Sequence, residues 1–276
     1  MMWGGTFIAT KYRMASQVFG TFTGASMRYF VALLFMVPLA LFQDKHFFKI
    51  SRKQLFQMLL LGATGIFAYS YFFFNGLKQV PASHGALIVA LNPVLVMLIS
   101  SFFDKEKVSV IRILGVLLSL TGTAIVISRG DLFSLFSVFT WGDAFMLGTP
   151  LSWSLYTYFA KEPLKTTTPL QASTLATIFG FFMVLILAPF ETFPSVIGWE
   201  IWAAIFYLGI CGSVLGLVWY YEGVKKLGPV KTSAFNNLIP IFAMLLSVLI
   251  LGETLHDYTF YGAGFVVGGV FLINRF

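Results

Sequence analysis

Long apolar runs recur from one end of the chain to the other, and they restrict the fold more than any other sequence feature. A helix that crosses the hydrocarbon core of a bilayer needs roughly 20 apolar residues. The 276 residues therefore have room for about ten such helices and almost no extramembrane domain. Only 11% of the residues are charged, against roughly 25% in soluble domains. The runs predict an all-α integral membrane protein.

Ten transmembrane helices are predicted when the apolar runs are read between charged residues, glycines and prolines. Helices are expected because the runs do not alternate as barrel strands must. The first span is short, covering some 18 Å of a roughly 30 Å core, so we expect a first helix that is truncated or only half inserted. The predicted spans are Met1–Tyr12, Met27–Phe42, Leu55–Phe74, Ser83–Phe103, Ile111–Ser128, Ala144–Ala160, Leu170–Pro189, Trp199–Tyr221, Thr232–Leu251 and Tyr258–Ile273.

The basic residues predict the orientation of the spans, because cytoplasmic connections are enriched in Lys and Arg. One set of alternate connections holds thirteen of the 18 basic residues. With that set in the cytoplasm, both termini are cytoplasmic. The net charge of +7 then reflects topology, and we expect the lipid bilayer as a partner and no nucleic acid. The opposite set holds Lys11, Arg13, Arg28, Lys78 and Arg129.

The two halves of the chain are similar to each other. Each half holds five spans, an odd number, so the second half would enter the membrane inverted. We predict one repeat at 1–131 and an inverted one at 132–276. Inverted repeats are typical of secondary transporters, whose halves rock about a central site; the alternative is a duplication in a protein that does not transport. A shift of 147 positions places Gly76 on Gly223, Pro93 on Pro240, Glu106 on Glu253, Gly115 on Gly262 and Gly122 on Gly269.

These landmarks resemble those of a known family. Trp3, Gly4 and Lys11 near the start, Arg28 at the second span and the glycine, proline and glutamate landmarks of both halves are similar to EamA-type transporters of the drug/metabolite transporter superfamily. The resemblance implies ten helices in two inverted five-helix repeats. It also implies a central cavity lined by helices one, three, four, six, eight and nine, and export or exchange of small metabolites.

Two prolines mark predicted helix kinks. Pro93 and Pro240 lie near the centres of the fourth and ninth spans, where each removes a backbone donor. Non-helical backbone at bilayer depth is tolerated where it faces protein or a watery cavity. The nearby amides of Asn92, Asn236 and Asn237 are costly in hydrocarbon without partners. We predict that these asparagines bind substrate; alternatively, they satisfy the kinked backbone or bridge neighbouring helices.

Aromatic side chains form the second candidate set. In a pocket, Trp and Tyr offer flat apolar area with one polar group, which suits partly apolar metabolites. They also gather at membrane interfaces, and packing there is the alternative. Trp3 and Trp153 are repeat equivalents, at a shift of 150, on cavity helices of the resembled family. The predicted substrate-binding aromatics are Trp3, Tyr71, Trp153, Tyr156 and Trp219.

Ionisable residues are scarce inside the predicted spans, and none supplies a mid-span carboxylate for proton coupling. His84 and Glu222, at the ends of the fourth and eighth spans, are candidates for a proton or rim site; the alternative is an interfacial position. One cysteine, Cys211, and three scattered histidines argue against a metal centre. We expect no metal and no cofactor.

Glycines recur on one face of two predicted helices. Gly115 and Gly122 are seven residues apart in the fifth span, and Gly262 and Gly269 repeat the spacing in the tenth. Small residues let transmembrane backbones approach closely. We expect these helices to pack against neighbours rather than to bind substrate.

The sequence therefore predicts a secondary transporter of the bacterial inner (plasma) membrane. We expect it to move a small molecule, an amino acid or a similar partly apolar compound, by alternating access. An intramembrane enzyme is disfavoured because the chain lacks His-Glu-x-x-His, Gly-x-Ser-x-Gly and phosphate-binding motifs. A non-transporting receptor or assembly factor would not need an inverted repeat, and it is the second alternative.

Overall fold

A computed structural model describes residues 3, 20–77, 79, 85, 88–105, 108–128, 130–132, 140–191, 198–242, 245–246 and 257–275. Within those ranges the regular structure is helical, without strands. Five of the described helices are long and apolar enough to span a membrane, and Asn92–Asp104 is apolar but shorter. The prediction of an all-α integral membrane protein is confirmed. The first predicted span, except Trp3, lies outside the described residues, so the count of ten stays a prediction.

We number the described helices in chain order. Two of them, α2 and α7, contain a π-helical segment in the middle, and α8 passes into a 3₁₀ turn. The bounds are α1, Thr21–Gln43; α2, Arg52–Leu61, Gly62–Ala68 and Tyr69–Leu77; α3, Asn92–Asp104; α4, Val110–Ile127; α5, Trp141–Met146 and Gly148–Phe159; α6, Pro169–Leu187; α7, Trp199–Tyr207, Leu208–Leu215 and Gly216–Leu227; α8, Pro229–Ala234 and Phe235–Leu238; and α9, Asp257–Arg275.

Hydroxyl side chains begin several of these helices, because the first backbone N–H groups of a helix need acceptors. Ser51 and Gln54 exchange side-chain and backbone hydrogen bonds at the start of α2. Thr140 and Asp143 form the same reciprocal pair at α5. At α6, the Thr168 side chain accepts from the backbone of Gln171. Between α7 and α8, Gly228 adopts a φ of 84°, which lets the chain turn within one residue.

The helix α1 begins at Thr21, whereas the sequence predicts Met27. The intervening residues include hydroxyl side chains that lower the hydropathy of the run. In the structure the Ser26 hydroxyl donates to the carbonyl of Thr23 at 2.8 Å, so the polar group is satisfied inside the helix. Because the helix begins earlier than predicted, Arg28 lies about two turns inside α1 and not at its N-terminal end.

The chain forms two compact units, and each takes segments from both halves of the sequence. The Arg28 unit comprises Met2–Tyr71 and Phe159–Lys226, and the Asn92 unit comprises Phe72–Tyr158 and Leu227–Phe276. In the Arg28 unit, α1 packs against α6 and against the π-helical segment of α7, and α6 packs against α2. In the Asn92 unit, α4 packs along α9, and α3 packs against α8.

Glycines set the close helix contacts of the Arg28 unit. A Cβ atom on Gly62 of α2 would lie 2.7 Å from the carbonyl oxygen of Ala176 in α6. A Cβ atom on Gly209 of α7 would lie 2.7 Å from a methyl carbon of Val31 and 3.1 Å from the carbonyl oxygen of Arg28 in α1. Gly62 is the first residue of the π-helical segment of α2, and Gly209 is the second residue of that of α7. The two positions are separated by the same shift of 147.

The glycine spacing of α4 and α9 predicts close packing, and the structure confirms it. A Cβ atom on Gly115 would lie 2.9 Å from the carbonyl oxygen of Gly269, and one on Gly122 would lie 2.5 Å from that of Gly262. The two helices are therefore antiparallel and meet backbone to backbone. Around this contact lies a buried apolar core of Met97, Val116, Ala234, Val266, Val270 and Ile273.

Candidate functional site

The π-helical segment of α7 collects polar contacts in the Arg28 unit. A π-helical turn holds an extra residue, and such turns are frequent at functional sites. The fully buried Ser213 donates its hydroxyl to the carbonyl of Leu208 at 3.3 Å. The hydroxyl oxygen of Ser213 in turn accepts the Nε–H of Arg28 at 2.9 Å. Beside it, the carbonyl of Gly212 accepts the indole N–H of Trp3 at 2.9 Å.

Trp3, a predicted substrate-binding residue, is held on two sides of this segment. Its ring lies 5.4 Å from that of Tyr220, centroid to centroid. The indole also lies directly over Gly216, where a Cβ atom would overlap the ring nitrogen. An aromatic surface is thus fixed next to the Arg28–Ser213 hydrogen bond.

Arg28 is a functional candidate that the sequence indicates only as a family landmark and not as one of the predicted site residues. It is partly buried within α1, with its guanidinium carbon 5.2 Å from the centre of the Tyr29 ring. A charge inside a transmembrane helix is costly and is usually functional. The sequence predicts Arg28 at the end of the second span because it predicts that this span begins at Met27, whereas α1 begins at Thr21.

The other predicted residues of the Arg28 unit lie towards its surface. Tyr71 is 38% exposed and stacks on Phe22 with 6.1 Å between ring centroids. Trp219 is 59% exposed and lines an apolar groove of about 400 Å³. Glu222 forms an ion pair with Lys226 at 3.2 Å, one helical turn away. The other rim candidate, His84, belongs to the Asn92 unit and lies outside the described residues.

In the Asn92 unit, the helix is interrupted ahead of Pro93. Ile88 and Val89 are helical, a turn follows at 90–91, and α3 begins at Asn92. Proline suits the first turn of a helix because it has no N–H to leave unpaired. Asn92 is buried, and its backbone carbonyl accepts the hydroxyl of Ser154 at 3.3 Å. Its side-chain oxygen accepts no hydrogen bond from the described residues.

A second interruption precedes Pro240. The 3₁₀ turn Phe235–Leu238 carries Asn236 and Asn237, both buried. The Asn237 amide nitrogen donates to the hydroxyl of Ser119 in α4 at 2.9 Å. Its side-chain oxygen, like that of Asn92, has no donor in the described part of the chain. Leaving such an acceptor buried costs about 1–3 kcal/mol.

Trp153 and Tyr156 lie together on α5 of the same unit. Their ring centroids are 5.1 Å apart, Trp153 is 8% exposed and Tyr156 is fully buried. Both are therefore interior residues, unlike Trp219. Nearby on α5, the Tyr158 hydroxyl donates to Asp104 at the end of α3 at 2.8 Å, a contact that no sequence pattern indicated.

Metal-ligating side chains do not cluster in the described ranges: no three of His, Cys, Asp or Glu come together there. Cys211, in the π-helical segment of α7, is a partly buried free thiol.

Comparisons with known proteins give four findings. A model described as the EamA-like transporter family matches residues 1–128 and again 140–275. The chain is 29% identical over 271 residues to the uncharacterized transporter YyaM of Bacillus subtilis, covering 97% of this chain and 88% of that one. It is 28% identical over 221 residues to a probable terminal-alkyne amino-acid exporter of Streptantibioticus cattleyicolor, covering 78% and 72%. A protein crystal structure, 20% identical, matches 98% of this chain and 92% of its own with a TM-score of 0.80, which shows likeness of fold alone.

Proposed function

We propose, from the premise that this chain belongs to the EamA-like transporter family, that it carries an amino acid or a similar partly apolar metabolite out of a bacterial cell, by export or exchange. The relatives are named as transporters and not as enzymes, so the intramembrane-enzyme alternative is set aside. The proposal includes alternating access between two inverted repeats, 1–131 and 132–276, and both termini in the cytoplasm.

The observation that carries the proposal is the pair of interrupted helices in the Asn92 unit. Transporter sites are typically built where membrane helices are discontinuous. Here each interruption precedes a proline and holds a buried asparagine whose side-chain oxygen lacks a protein donor in the described ranges. An amino group or a water molecule of a solvated substrate would supply the missing donor. Asn92, Asn236 and Asn237 are the proposed polar contacts.

The α4–α9 contact supports the inverted repeat. Gly115 meets Gly269, and Gly122 meets Gly262, so each glycine contacts the repeat equivalent of the other. Reciprocal contacts of this kind are the signature of a two-fold axis, and the antiparallel direction is the one that an inverted second half requires. The two ranges matched by the family model support the same division.

The aromatic candidates support a partly apolar substrate. Trp3 is fixed over the π-helical segment of α7, and Trp153 lies against Tyr156 in the interior. Aromatic surfaces of this kind suit a side chain or ring on the substrate. One relative is named a probable amino-acid exporter, which is the reason for naming an amino acid. Tyr71 and Trp219 stay in the proposed set as outer contacts, Pro93 and Pro240 as helix breaks, and His84 and Glu222 as rim residues.

Flux of labelled amino acids across proteoliposome membranes tests the proposal. Asn92→Ala and Trp153→Ala are each expected to lower flux by roughly tenfold or more, because a contact worth 1–3 kcal/mol is lost. Asn274→Ala, at the end of α9, and Trp141→Ala, where the ring is 90% exposed, are the matched controls and should retain flux. Normal flux in both test variants would remove the site assignment. Binding without flux in the wild type would favour the receptor alternative.

A further inference from the structure

Arg28 places a positive charge inside a membrane helix. It lies seven residues after Thr21, the first residue of α1, which puts it about 10 Å along the helix axis. At that depth an ionised side chain needs a counter-charge, a polar cavity or a ligand.

No carboxylate of the Arg28 unit neutralises this charge. The first acidic residue of the sequence is Asp44, and Arg28 forms no ion pair with any residue that the structure describes. Its described contacts are neutral: the Ser213 hydroxyl and the Tyr29 ring. The carboxylates of the unit have other partners or positions. Asp44 accepts from the backbone of His46, Glu162 pairs with Lys165 and Glu222 pairs with Lys226. Glu191 accepts from the start of α1, and Glu200 lies in the first turn of α7.

The guanidinium is nevertheless held in one orientation. Ser213 accepts the Nε–H, and its own proton is directed to the Leu208 carbonyl, so the hydroxyl cannot rotate away without losing a bond. The two terminal nitrogens, Nη1 and Nη2, make no hydrogen bond to the described residues. They form the end of a planar fork that matches the two oxygens of a carboxylate.

We propose that Arg28 binds the carboxylate of the transported molecule end-on, through Nη1 and Nη2, with Ser213 as the residue that positions it. The ligand class is a small organic carboxylate. The Trp3 ring, fixed at the neighbouring residue Gly212, supplies an apolar surface for the rest of the molecule. This inference rests on the proposed function, whose substrate it narrows. The competing explanation is a purely structural link between α1 and α7.

Chemical modification tests the site without transport. Phenylglyoxal, which reacts with arginine, is applied to the purified full chain, and its addition to Arg28 is followed by peptide mass spectrometry. We expect 3-phenylpropionate to slow the modification of Arg28 severalfold and 3-phenylpropionamide, its uncharged analogue, to leave the rate unchanged. Equal effects of the two compounds, or no effect of either, would overturn the proposal.

Transport of matched pairs separates this inference from the proposed function. Each amino acid that the wild type moves is compared with its own α-amide. In Arg28→Gln we expect a roughly tenfold loss of flux for the amino acid and no change for the amide; Arg28→Lys should recover part of the loss, since the charge returns without the fork. Arg52→Gln, on the exposed start of α2, is the control for net charge.

The outcomes are distinguishable. If the wild type moves amino acids and Arg28→Gln keeps the preference over the amide, the inference is wrong and the proposed function stands. If Arg28→Gln lowers both fluxes equally and also lowers the melting temperature, Arg28 is a structural link and the inference is again wrong. If the wild type moves no amino acid, the proposed function fails, and the phenylglyoxal experiment alone decides the carboxylate site.

Discussion

At the scale of single residues, Glu191 caps the N-terminus of α1, although it is far from that helix in the sequence. Its Oε2 accepts the backbone N–H of Phe22 at 2.8 Å and that of Thr23 at 2.9 Å. A side chain at Gly20 would overlap this carboxylate, so the glycine leaves the space that the contact needs. The negative charge also meets the positive end of the helix dipole. Glu191 thus does for α1 what a local Ser or Thr does for α2 and α6.

Loss of this carboxylate should destabilise the protein. Glu191→Ala is expected to lower the free energy of unfolding by about 1–2 kcal/mol, and Glu191→Gln by less, because its amide oxygen still accepts. Thermal melting of the purified protein in detergent measures the change. Glu162→Ala, which removes an exposed ion pair with Lys165, should cost less than about 1 kcal/mol. Equal losses at the two positions would contradict a capping role for Glu191.

The sequence could not predict contacts of this kind, because Glu191 and Phe22 are 169 positions apart and no pattern links them. The sequence also misplaced Arg28, for a physical reason. Thr23 and Ser26 lower the mean hydropathy of the run, although the hydroxyl of each donates to a backbone carbonyl within the protein. By contrast, the sequence named both Trp3 and Asn92. The structure holds Trp3 against Tyr220 and buries Asn92, and their role in binding substrate stays a prediction.

At the scale of elements, the glycine pairs of α4 and α9 could be predicted from spacing alone, since seven residues are close to two helical turns. The π-helical segments of α2 and α7 could not. One extra residue in a turn changes neither the composition nor the hydropathy of the run. Their matching positions, Gly62–Ala68 and Leu208–Leu215, become visible only once the backbone is known.

Substitutions that force α4 and α9 apart should lower the stability of the protein. Gly122→Ala and Gly269→Ala are each expected to destabilise the protein by roughly 1–3 kcal/mol, because a new methyl group would press on the carbonyl of the partner helix. Gly264→Ala is the matched control: it lies on α9 with nothing within 4 Å of its Cβ position, so it should be neutral or slightly stabilising. The melting temperatures of the three variants, each compared with that of the wild type, test this expectation. A similar shift in all three would contradict a backbone contact between α4 and α9.

At the scale of the whole molecule, the basic residues determine the expected orientation. With Arg28 inside α1, the opposite side keeps Lys11, Arg13, Lys78 and Arg129, so the asymmetry is sharper than the sequence alone indicated. The two compact units do not follow the two halves of the sequence. No periodicity could have indicated this division, because it depends on which helices pack together and not on what each one contains.

Single cysteines test the orientation. In a Cys211→Ser background, Arg52→Cys should react with an impermeant maleimide only from the cytoplasmic side. Gly198→Cys, just ahead of α7, should react only from the opposite side, because an odd number of spans separates the two positions. Gly198 is exposed and has nothing within 4 Å of its Cβ position, so the thiol should be accessible. Labelling of both from one side would refute the predicted topology.

The glycine contact of α4 and α9 has a mechanical consequence. At each glycine pair the backbones meet, and neither glycine has a side chain that could change rotamer and absorb a movement. Sliding is opposed as well, because a shift along the axis would drive larger neighbours against a carbonyl. We therefore expect α4 and α9 to move together as one rigid body. We then expect bending inside the Asn92 unit at places where its described helices are already broken, such as those ahead of Pro93 and ahead of Pro240.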